Sequence, residues 1–306
     1  MKHVVSVSLG ASSRDHRHEV EILGEKAIIE RRGTDGSFQR ALELIRELDG
    51  KVDCIGLGGI DLYIVAAGKR YAFRDARRLA AAAKKTPVVD GSGLKNTLER
   101  RVIELLCAGG GDLSPQGRRV LLMAGVDRFG MAEALEAVGA QVTYGDLAFA
   151  LGVPVPLRSL RALGRAGRIL LPVITQLPFQ WLYPTGSKQE ANRPKHVHFF
   201  RDAEWIAGDF HYLRRYMPED LTGRIVLTNT ITPADVEDLR RRGVAVLITT
   251  TPNLGGRSFA TNAMESLLVA LGRTGGGARP LESLIEELDL QPRIERLNRQ
   301  TASVSS

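Results

Sequence analysis

Hydrophobic and polar positions along the first third of the chain follow short, changing periods. HVVSVSLG reads as a strand that ends in small residues. EVEILG and EKAIIERR alternate about Gly24, as the two arms of a hairpin do. In SFQRALELIRELDG the apolar residues Phe38, Leu42, Ile45 and Leu48 fall at helical spacing, and Gly50 suits the position just past the helix. VDCIGLGG is a buried strand running into a glycine turn, and LYIVAAGKRYAFR is a second hairpin around Ala67–Gly68. Arg74 to Lys85 is rich in alanine and arginine and is predicted helical. TPVVDGSG gives a short strand and a turn, and Leu94 to Cys107 a helix. AGGGDLSPQG, Ala108 to Gly117, is the best linker candidate.

Beyond it, strands alternate with amphipathic helices. VLLMAG precedes a helix, QVTYGD precedes LRSLRALG, and RILLPVI follows as a further strand. RIVLTNT leads to PADVEDLRRRG, where Thr232 and Pro233 form a helix start, and AVLITTTP leads to TNAMESLLVALG. This alternation predicts an α/β protein: an N-terminal α/β domain over 1–112, then a Rossmann-like, doubly wound parallel-sheet domain over 113–273. Residues 274–306 are read as one short helix, LESLIEELDL, and a disordered tail. The polar stretch from Phe179 to Phe200 is expected to be a loop or lid, with Trp181 and Tyr183 either covering a ligand or pinning the loop to the core.

Composition changes this picture little. The 306 residues are 43% hydrophobic and 25% charged, as in ordinary globular proteins. No run is long and apolar enough for a membrane span, and the N-terminus lacks the features of a signal peptide, so a cytoplasmic protein without a membrane partner is expected. Cys54 and Cys107, far apart and without metal spacing, read as buried free thiols. The net charge of +7 comes from arginines spread along helices near acids. No basic block carries interleaved aromatics, so no nucleic acid is expected.

Candidate chemistry gathers at turns after strands, where open α/β sheets present ligands. In AGVDRFG, Gly125 and Gly130 hold the first and third positions of G-x-G-x-x-G, and Asp127 stands at the second. Asp146 follows Gly125 at the spacing of an acid that bonds a ribose. Three readings stay open: a dinucleotide site, a plain βα turn with Asp127 as helix cap, and an altered anion site using Arg128. DGSGLKNT gathers Asp90, Ser92, Lys95 and Asn96, with Lys95 a candidate proton-transfer group and Asp90 or Asp61 its partner. GLGGID, TNTIT and TTTPNLGGRS are similar turns, the last bringing Thr250 and Thr251 toward a cofactor. His16 and His18 read as solvated turn residues. His196 and His198 share a face of a strand-like run without a third metal ligand, and Asp209, His211 and Tyr212 form a polar cluster or simply pack on a helix.

RRGTDGSFQRALELIREL, GLGGIDLY, TPVVDGSGLKNTLERR, AGVDRFGMAEAL, GDFHYLRRYMP and ITTTPNLGGRSFATN together resemble a bacterial family usually labelled quinate 5-dehydrogenase, distantly like the quinate/shikimate dehydrogenases. The resemblance implies a substrate domain followed by an NAD or NADP domain, and a Lys–Asp pair serving the hydroxyl that loses hydride. AVLITTTPNLGG is similar to the strand and turn near the nicotinamide in those enzymes. Their N-V-T-x-P-x-K segment has no counterpart, which leaves Lys95 as a positional stand-in, and AGVDRFG replaces their G-A-G-G-A loop. The expected function is an NAD(P)-dependent oxidoreductase acting on a small polyhydroxy acid, an anionic small-molecule substrate, with a homo-oligomer left open. The rivals are a non-catalytic ligand-binding or regulatory protein on a degenerate Rossmann domain, and a transferase or ligase.

Overall fold

A computed structural model describes residues 1–182, 192–229, 231–251, 253–254, 257–274 and 277–298. The apolar strand β1 (Lys2–Ser8) is followed by β2 (His16–Ile22) and β3 (Glu25–Gly33), which form the hairpin read from the sequence, turning at Leu23 and Gly24. His16 and His18 lie on β2 rather than in a turn. Helix α1 (Phe38–Leu48) starts where the Ser37 side chain accepts from the Arg40 N–H, and Gly50 follows it with φ +76. Then come β4 (Cys54–Gly58), the hairpin of β5 (Tyr63–Ala66) and β6 (Lys69–Ala72), α2 (Arg74–Ala80), β7 (Val88–Val89) and α3 (Ser92–Gly109). Helix α2 stops five residues short of the expected Lys85.

The second half brings β8 (Arg119–Leu122), α4 (Phe129–Ala137), β9 (Gln141–Tyr144), α5 (Asp146–Leu151), α6 (Leu160–Ile174) and α7 (Phe179–Leu182). RILLPVI, expected as a strand, is the second half of α6, with Pro172 inside the helix. Next are α8 (Val197–Asp202), β10 (Trp205–Ala207), α9 (Phe210–Tyr216), β11 (Ile225–Thr228), α10 (Pro233–Arg241) and β12 (Val246–Thr249). The Thr232 start of α10 is a full capping box with Asp235. The strand-like reading of PKHVHFF is corrected: His196 precedes α8 and His198 lies on it. The chain continues through two short strand pairs, β13 (Asn253–Leu254) with β14 (Arg257–Ser258) and, after α11 (Thr261–Gly272), β15 (Arg273–Thr274) with β16 (Gly277–Ala278). Helix α12 (Leu281–Glu287) and β17 (Arg293–Arg296) end it, so part of the expected tail is a strand, while residues 299–306 lie outside the described residues.

These elements make an α/β fold with two main sheets. One has the order β2-β3-β1-β4-β7, parallel except for the edge strand β2. The other runs β17-β12-β11-β10-β8-β9, parallel except for β17. Its five parallel strands, numbered from β8, follow the 2-1-3-4-5 order of doubly wound sheets, with the switch point between β8 and β10.

The chain divides into two compact units, and not at the expected boundaries. One comprises Met1–Leu98, Ala166–Gln189 and Asn253–Leu290; the other, Glu99–Arg165, Glu190–Pro252 and Gln291–Ser306. The breaks fall inside α3 and α6, not in the glycine-rich stretch after Cys107. Helix α11, expected in the Rossmann-like domain, packs on β1 and β4 of the first sheet. The cause is specific: Asn262 donates to Ser6 Oγ at 2.6 Å, and a Cβ on Gly56 would lie 2.7 Å from Ser266 Oγ. Only glycine on β4 lets the helix come this close.

Candidate functional site

In the first unit, polar side chains collect past the carboxyl ends of β4 and β7 and at the start of α3. Asp61 follows the glycine turn after β4. Lys95, in the first turn of α3, places Nζ 2.7 Å from Asp61 Oδ1, and both side chains are mostly buried. A cation at a helix N-terminus opposes the helix dipole, so Lys95 stands where local electrostatics disfavour it and Asp61 compensates. Of the two partners expected for Lys95, the direct one is Asp61. Asp90 instead holds the turn: its carboxylate accepts from the N–H of Leu62 at 2.5 Å and of Ser92 at 3.1 Å, and lies 2.5 Å from Ser92 Oγ. Between them Gly91 takes φ +94, and a Cβ there would sit 2.9 Å from the Asn262 nitrogen.

Glu265, which sequence reasoning missed, completes the group. It sits on α11, 4% exposed, and accepts from the Leu94 N–H at 3.1 Å. The signal was present: Glu265 is the one charged residue in NAMESLLVALG, whose other polar side chains are Asn262 and Ser266. Burial pushes its carboxyl up to about 7, with the charge of Asp90 adding and the Leu94 bond opposing. Burial, then the charge of Asp61, raises Asp90 as well, against its Ser92 and Leu62 bonds and Lys95. Arg70 stacks over the Tyr63 ring, 3.6 Å from its centroid, and burial followed by the charge of Glu265 raises the Tyr63 hydroxyl. One ammonium, one carboxylate paired with it and two carboxyls held toward their neutral forms can both donate to and accept from hydroxyl groups.

In the second unit the loop after β8 lies at the switch point but is shut. The Asp146 carboxylate accepts from the N–H of Gly125 and of Val126, each at 2.9 Å. Burial raises its carboxyl to about 6 against those two bonds. A Cβ on Gly125 would lie 2.7 Å from Tyr144 Cδ1 and 2.9 Å from Leu163 Cδ2. This glycine therefore serves packing inside the unit. Residue Arg128, with no side-chain cap bond, is the cap of α4, so Asp127 is not; Gly130 is buried in the first turn of that helix. The Arg128 side chain is fully buried, paired with Glu99 and with Asp209 at 3.4 Å. Asp209 also caps α9, accepting from His211 and Tyr212, and takes a 2.6 Å bond from Asn229. Thr250 and Thr251 are buried at the end of β12, where the Thr250 N–H donates to Thr228 O.

These residues do not fit a dinucleotide. A pyrophosphate needs free loop N–H groups and close backbone approach, yet the first two N–H groups are bonded to Asp146. The same bonds turn the acid expected at a ribose back onto its own loop. Elsewhere, Cys54 is buried and its thiol is pushed up to about 12 by burial, while Cys107 is half-buried. Trp181 is exposed, while Phe179 at the start of α7 is buried, donating its N–H to Asp75 and stacking on Phe38; the loop expected beyond it, 183–191, lies outside the described residues. Tyr183 lies outside the described residues.

Residues 93–297 match the family described as a domain of unknown function (DUF8754), and residues 3–90 a second such domain (DUF8753). The sequence matches none of the curated proteins. Among solved structures the chain is similar to an ABC transporter solute-binding protein from Burkholderia multivorans, at 12% identity and TM-score 0.36 over 96% of this chain and 98% of that one. It is also similar to a sugar ABC transport substrate-binding protein from Bordetella parapertussis, at 13% and 0.34 over 100% and 92%. The dipicolinate synthase A chain from Bacillus subtilis is similar at 14% and 0.31, over 94% and 98%.

Proposed function

The chain belongs to the DUF8754 family, and we propose that it is a binding protein for a small polyhydroxy compound, recognised in its first unit. One observation carries the choice of binder over dehydrogenase: Asp146, the acid that would hold a ribose, is turned back onto the Gly125 and Val126 N–H groups of its own loop. The ligand class follows from the chemistry around Lys95. Asp61 accepts from hydroxyls and Lys95 takes a ligand carboxylate if one is present, while Asp90 holds the turn beside them and Glu265, raised to about 7, lies behind it.

Thermal melts test this. Quinate, shikimate or a sugar acid raises Tm, worth about 2.7 kcal/mol at a hundredfold excess over Kd, and Lys95→Ala abolishes the shift while remaining folded. NAD and NADP leave Tm unchanged. A shift with either cofactor overturns the reading. The 2.7 Å Lys95–Asp61 pair favours a second reading, a dehydrogenase in which Lys95 exchanges the substrate hydroxyl's proton. Nicotinamide reduction in the presence of a polyhydroxy acid, lost in Lys95→Ala, would establish it.

A further inference from the structure

We propose that the exposed side of α6, together with the exposed Trp181 of the following α7, docks on an anionic lipid surface. Apart from the terminal Met1, the three most exposed large apolar side chains among the described residues lie here: Trp181 at 77%, Ile169 at 72% and Val173 at 64%. Folding normally hides such side chains, and three in a short stretch mark an interaction surface.

Helix α6 sorts its residues into lines. Leu163, Gly167 and Leu171, at i, i+4 and i+8, are buried and seat the helix. Arg161, Arg165, Arg168 and Pro172, at i, i+4, i+7 and i+11, form an exposed line. Ala162, Ala166, Ile169 and Val173 repeat that spacing one residue on, an apolar line beside the arginines. Charge decides the occupant. From Leu147 to Gln189 the sequence holds no aspartate or glutamate, only Arg158, Arg161, Arg165, Arg168 and Lys188. A second copy of this chain meeting the same face across a twofold axis would set arginines against arginines. Lipid phosphates satisfy the arginines in bidentate fashion, while Ile169, Val173 and Trp181 reach the boundary between headgroup and acyl chain. Tryptophan favours that depth. The attachment lies on the surface, since no helix among the described residues is long and apolar enough to cross a membrane. It departs from the expectation of no membrane partner, which rested on the length of apolar runs.

The test is co-sedimentation of the full chain with vesicles of phosphatidylcholine mixed with phosphatidylglycerol, against phosphatidylcholine alone. Binding to the mixed vesicles only, weakened by salt, is expected. Arg168→Glu lowers the partition by about tenfold, and Ile169→Ser with Val173→Ser does at least as much. All three residues are exposed, so the variants keep the Tm of the parent. The two tryptophans separate the signal: buried Trp205 stays constant, and Trp181 emission shifts to the blue on binding, a shift lost in Trp181→Phe. No sedimentation with the mixed vesicles, variants that bind like the parent, or a dimer that the Ile169/Val173 variant breaks would each overturn the proposal.

Discussion

Glu265 shows how a single side chain ties stability to pH. Its ordinary value is 4.5, and in the fold it keeps its proton up to about 7. Between those values the folded chain binds more protons than the unfolded one. Stability is therefore greatest below about 4.5, falls as pH rises toward about 7, and stays lower above. Glu265→Gln keeps an acceptor for the Leu94 N–H and removes the charge. Urea unfolding should find the variant more stable at about pH 8, by an amount on the order of 2–3 kcal/mol, and no more stable at about pH 4. A gain equal at both pH values would mean that Glu265 is ionised throughout. Asp146 works on the same scale with a different readout. Asp146→Ala leaves the Gly125 and Val126 N–H groups without their acceptor, at a cost of about 2–4 kcal/mol in chemical denaturation.

At the scale of elements, the β8–α4 turn is built for closeness. Gly125→Ala drives a methyl against Tyr144 and Leu163 and should lower stability by about 1–3 kcal/mol. A neutral result would mean that the turn has slack to give. This turn also marks the limit of what the sequence disclosed. Strand, glycine and Asp146 were all readable, and so was their spacing. The direction in which Asp146 points was not, because spacing along the chain does not fix which N–H groups a carboxylate reaches. RILLPVI misled for a related reason: a short apolar run fits a buried strand or a helix seat alike, and the strand that follows β9 in the sheet is instead the three-residue β10, Trp205–Ala207, paired with β8. Strand β17, RIER, is mostly charged and lies at an edge, where no apolar alternation is required. The hairpins, α1 and the capped α10 were legible because each carries its own local chemistry. Lys95 and Asp61 were named as partners from residue type, and the tight turn after β4 brings them together.

For the molecule as a whole, chain order and spatial order diverge. The sheet made by the first ninety or so residues rests its β1 and β4 face on α11, which begins only at Thr261. Ser6 finds its hydrogen-bond donor in Asn262, and Gly56 its neighbour in Ser266. A fragment of Met1–Leu98 should accordingly lack cooperative melting and bind an apolar dye, whereas the full chain melts as a folded protein. Cooperative unfolding of that fragment would show that the sheet needs no cover.

On the ribosome the same arrangement imposes a wait. The strands of the first sheet emerge with an apolar flank that stays bare until Thr261–Gly272 has been made, so a growing chain needs a chaperone's shelter over that span. A stop codon placed before Thr261 should therefore yield an aggregating product rather than a smaller working protein.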